Sequence, residues 1–198
     1  MFGNAGAQYP WTSGRYGTCT GTGPCHDYEY HLNSDIALAH YQYWSSTQNE
    51  TWLREEGWPV IESNAAFWAS HVVYNETVGK YATLNETDPD EYANHIDNGA
   101  FTNAGVFVTL KQAIEVAGVL GYEHPSNWSE IADNMIILKD NSSGITLEFD
   151  GFNGTTEVKQ ADVVLLTFPL DYDYPDERAL ADLDYYSGVT SAEGPGMT

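Results

Sequence analysis

The chain is poor in basic residues, and this shortage limits the partners it can have. Its 198 residues include 7 Lys and Arg against 29 Asp and Glu, which gives a formal net charge of -22 at pH 7. Such an excess of negative charge repels the phosphates of nucleic acids and the anionic surfaces of membranes. The composition therefore excludes nucleic acid as a partner and favours neutral or cationic ligands.

Long apolar runs are also missing. No segment approaches the roughly 20 consecutive apolar residues that a membrane-spanning helix needs, so we predict no membrane span. Met1 is followed by Phe-Gly-Asn-Ala-Gly, which is neither a basic nor an apolar leader. Apolar residues nevertheless make up 42% of the chain, enough for a substantial core, and the length predicts one domain.

Cysteine is nearly absent, since Cys19 and Cys25 are the only two. A loop rich in Gly and Thr separates them and is flexible enough to allow a local disulfide in an oxidising compartment. The alternative is a metal or redox pair, which would need a Cys-x-x-Cys spacing or further ligands at recognised spacings. We predict the disulfide, no metal site and no cofactor.

Glycosylation sequons, in contrast, are abundant. Six Asn-x-Ser/Thr triplets occur, none with Pro in the middle, and they begin at Asn49, Asn75, Asn85, Asn127, Asn141 and Asn153. They predict a glycoprotein of the secretory pathway that is secreted, held in the cell wall or delivered to the vacuole. Because no leader opens the chain and no terminating element closes it, we expect residues 1–198 to be a fragment of a longer polypeptide.

Apolar residues recur at helical spacing through most of the chain. The predicted helices cover residues 28–43, 58–72, 101–120 before Gly121, 127–138 and 176–186. An extended piece at 81–84 and a surface hairpin at 145–147 interrupt them, and 159–166 is a compact apolar run. The pattern predicts one mostly helical domain, built as an array of helical hairpins.

A loop restricted by proline carries the strongest candidate for chemistry. Asp88-Pro-Asp-Glu-Tyr cannot continue a helix, so Glu91 lies on a loop before the helical pattern resumes near residue 100. Aromatic-rich segments on both sides could remove solvent from its carboxyl group and raise its pKa enough for it to donate a proton. The alternative is an ordinary cap of the following helix.

Aromatic residues are frequent in this acidic chain, a combination that suits carbohydrate. Sugar rings present apolar C–H faces to aromatic planes and hydroxyls to carboxylates and amides. Trp11 and Tyr92 lie in or beside loops and are ligand candidates, whereas aromatics on the helical patterns, such as Trp68, are explained by an apolar core.

Two further pairs of polar residues stand out. Lys159 and Gln160 open an apolar run and could donate to several hydroxyls of one sugar, although Lys159 could equally be an ordinary surface lysine. His31 and Asp35 are four residues apart on one helix face. We interpret them as a simple helix pair rather than as metal ligands.

Several segments together carry a resemblance to a known family. They are Trp11-Thr-Ser-Gly-Arg-Tyr-Gly, Thr20-Gly-Thr-Gly-Pro, His31-Leu-Asn-Ser-Asp-Ile-Ala, Asp88-Pro-Asp-Glu-Tyr, Asp97-Asn-Gly-Ala-Phe-Thr-Asn, Lys159-Gln-Ala-Asp-Val-Val and Gly194-Pro-Gly-Met-Thr. Through them nearly the whole chain resembles glycoside hydrolase family 65, and within it the fungal acid trehalases. The resemblance implies an all-α fold, about half of an (α/α)6 barrel with short β-hairpin excursions, so that residues 1–198 are a fragment of a single catalytic domain.

The resemblance also implies functions for individual residues. Glu91 matches the general acid of the family, and Lys159 and Gln160 match the pair that binds the glucosyl unit. Trp11 and His31 fall in motifs that line the same cavity. The implied activity is the hydrolysis of α,α-trehalose to two glucose molecules by an inverting acid/base mechanism.

Two parts of the family's site have no counterpart in these residues. The Trp-Asp motif that binds the glucosyl residue would precede Met1, and the general base would follow Thr198, so the fragment alone is expected to be inactive. The same scaffold also serves phosphorylases and hydrolases of other α-glucosides. A non-catalytic, glycan-binding wall protein is the alternative from a different class.

Overall fold

The computed structural model describes residues 3–21 and 28–193 of the chain. This part is mostly helical, with short antiparallel strand pairs. Its α-helices are α1 (Leu32–Thr47), α2 (Glu50–Trp52), α3 (Trp58–His71), α4 (Ala100–Leu120), α5 (Asn127–Asp133) and α6 (Asp176–Val189). One turn of π-helix, Leu53–Gly57, joins α2 to α3, and a 3-10 helix covers Asp162–Leu166.

Two small hairpins interrupt the helices, which agrees with the expected β-hairpin excursions, although neither lies at 145–147. In the first, β1 (Val73–Asn75) pairs antiparallel with β2 (Lys80–Ala82). In the second, β3 (Glu86–Thr87) pairs antiparallel with β4 (Asn94–Ile96), with an irregular register. Residues 88–93 connect β3 to β4, so this second hairpin carries the loop of Glu91.

The apolar core lies between α4 and the helices that pack on it, α1, α3 and α5. Trp68 and Leu110 are fully buried there, as the helical spacing of apolar residues predicts. A Cβ atom at Gly105 would stand 2.7 Å from Ser34 Oγ, so the glycine lets α4 approach α1 closely. A second cluster joins the beginning of α4 to the 3-10 helix and α6.

Local signals mark the start of α3 and the end of α4. Pro59 occupies the first turn of α3, directly after the π-helical turn. Helix α4 ends at Gly121, which has φ 70° and accepts the left-handed conformation that terminates a helix. The predicted end of this helix at Gly121 is confirmed.

Other predicted boundaries need correction. Helix α1 begins at Leu32 rather than at residue 28. Helix α5 stops at Asp133 rather than at residue 138. The next residues are extended because they pair with β2: the Tyr81 N–H donates to the Asn134 carbonyl at 2.8 Å, and the Ile136 N–H donates to the Tyr81 carbonyl at 2.9 Å.

The segment 145–147, predicted as a surface hairpin, is instead covered by α6. Lys139 and Thr146 do form an antiparallel bridge, but Thr146 is fully buried. Its N–H donates to Asp182 Oδ1 at 2.6 Å, and Arg178 Nε donates to its hydroxyl oxygen at 2.9 Å. The run 159–166, in turn, becomes a loop followed by the 3-10 helix.

Several surface features bear on the sequence predictions. The asparagines of all six sequons are exposed. Cys19 is exposed and disulfide-bonded, whereas Cys25 lies outside the described residues. Across residues 3–21 and 28–193, no helix is both long and apolar enough to cross a membrane.

Candidate active site

The loop of Glu91 meets the loop of Lys159 and Gln160. The Lys159 ammonium group forms an ion pair with Glu91 Oε2, although the two residues are 68 positions apart in the chain. The Glu91 N–H donates to Gln160 Oε1 at 3.4 Å. Lys159 Nζ also lies 5.8 Å from the centre of the Tyr92 ring. The fold thus brings four of the predicted site residues into one place.

Three side chains of this site reach solvent, whereas Gln160 is buried. The Glu91 side chain is 45% exposed and that of Lys159 is 22% exposed, and Tyr92 is exposed as well. We expected the surrounding aromatics to remove solvent from the Glu91 carboxyl group, and in the described chain they do not. The turn directs Glu91 outward and Asp90 inward, so burial falls on the neighbouring carboxyl groups instead.

Five buried carboxyl groups lie beneath the Glu91 loop and form what we call the buried carboxyl cluster. Its members are Glu86, Asp88, Asp90, Glu148 and Asp162, each at most 1% exposed. Burial, together with the charges of Asp90 and Asp88, raises the pKa of Glu148 to about 9. Burial also raises the pKa of Asp162, to which the charges of Asp88 and Glu148 contribute. Part of the cluster therefore carries protons at neutral pH.

The beginning of α4 holds the first two members of the cluster. Asp88 accepts hydrogen bonds from the Thr102 hydroxyl and from the backbone N–H groups of Phe101 and Thr102. It thereby caps the positive end of the helix dipole from another segment, although burial still raises its pKa to about 6. The Gly99 N–H donates to Glu86 Oε1 at 2.8 Å. The segment Asp97-Asn-Gly-Ala-Phe-Thr-Asn thus supplies the hydrogen-bond donors that hold Glu86 and Asp88.

Gly99 is required for this arrangement because of space. A Cβ atom at this position would stand 2.3 Å from Asp88 Oδ2, far closer than atoms can approach. Its φ of -56° and ψ of 130° are open to other residues. The constraint is therefore the close approach of Asp88 to the beginning of α4.

His31 lies buried at the start of α1 between two carboxylates. Its Nδ1 lies 2.8 Å from Asp35 Oδ2, which confirms the predicted helix pair, and its Nε2 lies 3.0 Å from Glu29 Oε2. Burial by itself lowers the pKa of His31, but these hydrogen bonds and the charge of Asp88 outweigh burial and raise it to about 10. The imidazolium thus adds positive charge beside the carboxyl cluster. A direct contact of His31 with sugar stays a prediction.

Trp11 lies in the N-terminal segment, with 41% of its surface exposed. This segment runs along α1 and α3, where Asn33 Nδ2 donates to the Ala7 carbonyl at 2.6 Å. Its proposed contact with substrate also stays a prediction. Among the described residues, no group of three or more His, Cys, Asp and Glu side chains is arranged to hold a metal ion.

Sequence reasoning did not single out Asp90, Glu148 and Asp162. One signal was present, because Asp162 interrupts the apolar run after Lys159 and a carboxyl group in such a run is costly unless it has partners. Glu148 alternates with apolar neighbours in a segment that we predicted to lie at the surface. Its burial follows from the packing of α6, which the local sequence does not encode.

Comparison with known proteins identifies relatives of this chain. The chain is 51% identical to the periplasmic/secreted acid trehalase of Candida glabrata, covering 98% of this chain and 16% of that protein. It is 50% identical to the acid trehalase of Emericella nidulans, covering 97% of this chain and 18% of that protein. The chain therefore spans less than a fifth of the length of these relatives.

A solved structure confirms the architecture. The chain superposes on a protein from the human microbiome assigned as a kojibiose phosphorylase, with a TM-score of 0.78 and 16% identity, covering 96% of this chain and 30% of that one. The fold is thus part of an (α/α)6 barrel, as predicted. Residues 1–158 match the family described as Glycosyl hydrolase family 65 central catalytic domain, and the chain belongs to this family.

Proposed function

We propose that the protein to which this chain belongs hydrolyses α,α-trehalose to two glucose molecules, with Glu91 as the general acid. The observation that carries the proposal is the meeting of Glu91 with Lys159 and Gln160 on an open surface. The Glu91 carboxyl group and the Lys159 ammonium group then meet where a sugar can reach them, beside the buried Gln160. The two relatives that are about half identical to the chain are both named acid trehalases.

The proposed chemistry is a single inverting displacement. Glu91 gives its proton to the oxygen that bridges the two glucosyl units as the bond from that oxygen to the anomeric carbon breaks. A water molecule attacks this carbon from the opposite face and loses its proton to a base outside these residues. The products are one glucose with inverted configuration and one released with its configuration retained.

Lys159, Gln160 and Tyr92 are proposed to hold the substrate. The Lys159 ammonium group has three donors and the Gln160 amide can donate as well, so both can bind sugar hydroxyls. The exposed Tyr92 ring lies beside Lys159 and can cover an apolar sugar face. Trp11 and His31 are further proposed contacts of the substrate.

The sequons and the charge of the surface support a protein of the secretory pathway. Exposed sequons and strong negative charge support a glycoprotein of the secretory pathway, in the medium, the cell wall or the vacuole, with carbohydrate rather than nucleic acid as its partner. The general base and the Trp-Asp motif are proposed to lie in other parts of the protein. Residues 1–198 alone are therefore expected to show no turnover.

Product analysis of the complete protein tests the reaction class. We expect trehalose to give only glucose, with or without inorganic phosphate, and one of the two glucose molecules to appear first as the β anomer by NMR. Glucose 1-phosphate formed in the presence of phosphate would identify a phosphorylase. Faster cleavage of another α-glucoside would show that trehalose is not the preferred substrate. Binding of trehalose without turnover would indicate a glycan-binding protein.

The substitution Glu91→Gln tests the acid itself. It keeps the size of the side chain but removes the transferable proton, so kcat for trehalose is expected to fall by about 10²- to 10⁴-fold while trehalose binding survives. Glu157→Gln is the matched control, because it makes the same change on an exposed residue of the Lys159 loop. Unchanged turnover in Glu91→Gln would reject Glu91 as the acid.

A further inference from the structure

Two buried aspartates connect the loops that carry the proposed acid and its sugar-binding partners. Asp90 Oδ2 accepts the backbone N–H of Lys159 at 3.0 Å. In the reverse direction, Asp162 Oδ2 accepts the backbone N–H of Asp90 at 3.1 Å. Each loop thus offers a carboxyl group to the backbone of the other.

Asp90 uses both of its carboxylate oxygens. While Oδ2 binds the Lys159 loop, Oδ1 accepts the backbone N–H of Tyr92 at 2.9 Å. The Ala93 N–H closes the same turn by donating to the Asp90 carbonyl at 2.8 Å. The side chain of Asp90 is therefore the point at which the turn around Glu91 and the Lys159 backbone are fixed to each other.

We infer that Asp90 and Asp162 form a clamp that sets the position of Glu91 relative to Lys159 and Gln160 during catalysis. This inference rests on the proposed function of Glu91. Both aspartates are at most 1% exposed and act through backbone N–H groups, so they are positioning residues that do not touch the substrate. Misplacement of catalytic groups by about 1 Å can cost about 100-fold in rate, which makes such a clamp consequential.

Stability alone explains these aspartates poorly. Buried carboxyl groups lose solvation, and well-packed apolar residues of similar size often stabilise a protein more. Here the cost is increased by Asp88 and Glu148, which lie in the same cluster. What apolar residues could not supply is the set of acceptors that joins the two loops.

The two aspartates differ in how many acceptors they supply, and this difference provides the test. Asp90 accepts N–H groups with both oxygens, whereas Asp162 accepts from the Asp90 N–H with Oδ2. Asparagine has only one acceptor oxygen. Asp162→Asn can thus keep its bond of the clamp, but Asp90→Asn must lose one and would turn an NH₂ group toward an N–H group.

Kinetics of the complete protein with trehalose would show this asymmetry. We expect Asp90→Asn to lower kcat by about 100-fold and to raise KM, because loss of either bond shifts the acid relative to Lys159. Asp162→Asn should stay within about threefold of the parent, whereas Asp162→Leu, which has no acceptor, should lose activity as Asp90→Asn does. Assays are run well below the melting temperature of each variant.

Two results would overturn the clamp. One is a kcat and KM of Asp90→Asn equal to those of the parent. The other is an equal loss in Asp90→Asn and Asp162→Asn that follows their melting temperatures with KM unchanged, since that pattern is expected of residues that act only through folding.

A second measurement separates the clamp from the proposed function. Hydrogen–deuterium exchange followed by mass spectrometry reports the amides of Tyr92 and Lys159 without any substrate. Faster exchange of at least one of the two amides in Asp90→Asn, with Asp162→Asn unchanged, would support the clamp even if the parent failed to hydrolyse trehalose, in which case the proposed function alone fails. Unchanged exchange of both amides in Asp90→Asn would overturn the clamp even if the parent is a trehalase.

Discussion

Two buried regions of this chain contain side chains of opposite character, apolar in one and acidic in the other. The region between α3, α4 and α5 buries large apolar side chains such as Phe67, Trp68 and Leu110. The region beneath the Glu91 loop buries the carboxyl cluster, whose members repel one another when ionised. Burial of each apolar side chain in the first region stabilises the fold. Burial of each carboxyl group in the second region destabilises the fold unless that group is hydrogen-bonded or protonated.

The comparison indicates which region serves function. Three of the six non-glycine residues with positive φ in the described part of the chain lie beside the carboxyl cluster, namely Asn85, His95 and Asn98 with φ values of 51°, 55° and 57°. Such conformations cost free energy and tend to persist where the geometry is needed. The apolar region supports the fold, and the carboxyl region sets the geometry of the proposed site.

The largest loss of stability is expected in the apolar region. Trp68→Ala removes a fully buried indole ring from the core, and we expect a loss of about 3–5 kcal/mol in the free energy of unfolding. Trp68→Phe keeps most of the volume and is the matched control. Thermal unfolding of the complete protein checks both, and similar melting temperatures for the two variants would show that the core region is not the main source of stability.

A smaller loss is expected where the helical core meets the carboxyl cluster. In Gly99→Ala the new Cβ atom would displace the Asp88 carboxyl group, and we expect a loss of about 1–3 kcal/mol. The control is Gly118→Ala on the exposed face of the same helix, where a Cβ atom meets nothing within 4 Å. Since alanine favours helix, the control should gain about 0.5–1 kcal/mol. If both variants shift the melting temperature in the same direction, the close packing of Asp88 is not the reason why residue 99 must be glycine.

The smallest effect, a dependence on pH, distinguishes the two regions most specifically. Folding raises the pKa of Glu148 from 4.5 to about 9, so the folded state binds this proton more tightly than the unfolded state. The resulting contribution of Glu148 to stability is complete below pH 4.5 and disappears as the pH rises through about 9. The raised pKa of His31 acts in the same direction, whereas His71, whose pKa burial lowers to about 4, favours higher pH. We expect the melting temperature to fall between pH 5 and pH 8.

Glu148→Gln supplies the control for this pH dependence. Glutamine resembles the protonated acid and does not titrate, so the variant should match the parent near pH 5 and melt at a higher temperature than the parent at pH 8. Melting curves measured at both pH values check this. Parallel curves for parent and variant would show that Glu148 does not contribute to the dependence.

The same division explains what the sequence could predict about the fold. The positions of α3, α4 and α6 follow from apolar periodicity and from local signals such as Pro59 and Gly121, which act within one helix. The end of α5 depends on pairing with Tyr81, some fifty residues earlier in the chain. No local pattern in the sequence encodes such a partner, so the predicted end of α5 was wrong.

The site divides in a similar way. Glu91, Lys159 and Gln160 could be named from the resemblance to a family, because their motifs are contiguous in sequence. Asp90 and Asp162 stand in the same motifs, but their importance depends on which backbone N–H groups they meet across the fold. That information exists only in the packed structure.

Leaving-group dependence tests the central claim, that Glu91 is the general acid, most directly. Trehalose needs a proton on its departing oxygen, whereas the fluoride of α-D-glucosyl fluoride departs with little help. We predict that Glu91→Gln in the complete protein slows trehalose hydrolysis by about 10²- to 10⁴-fold but hydrolysis of the fluoride by no more than about tenfold. Equal losses with both substrates would contradict the assignment of Glu91 as the acid.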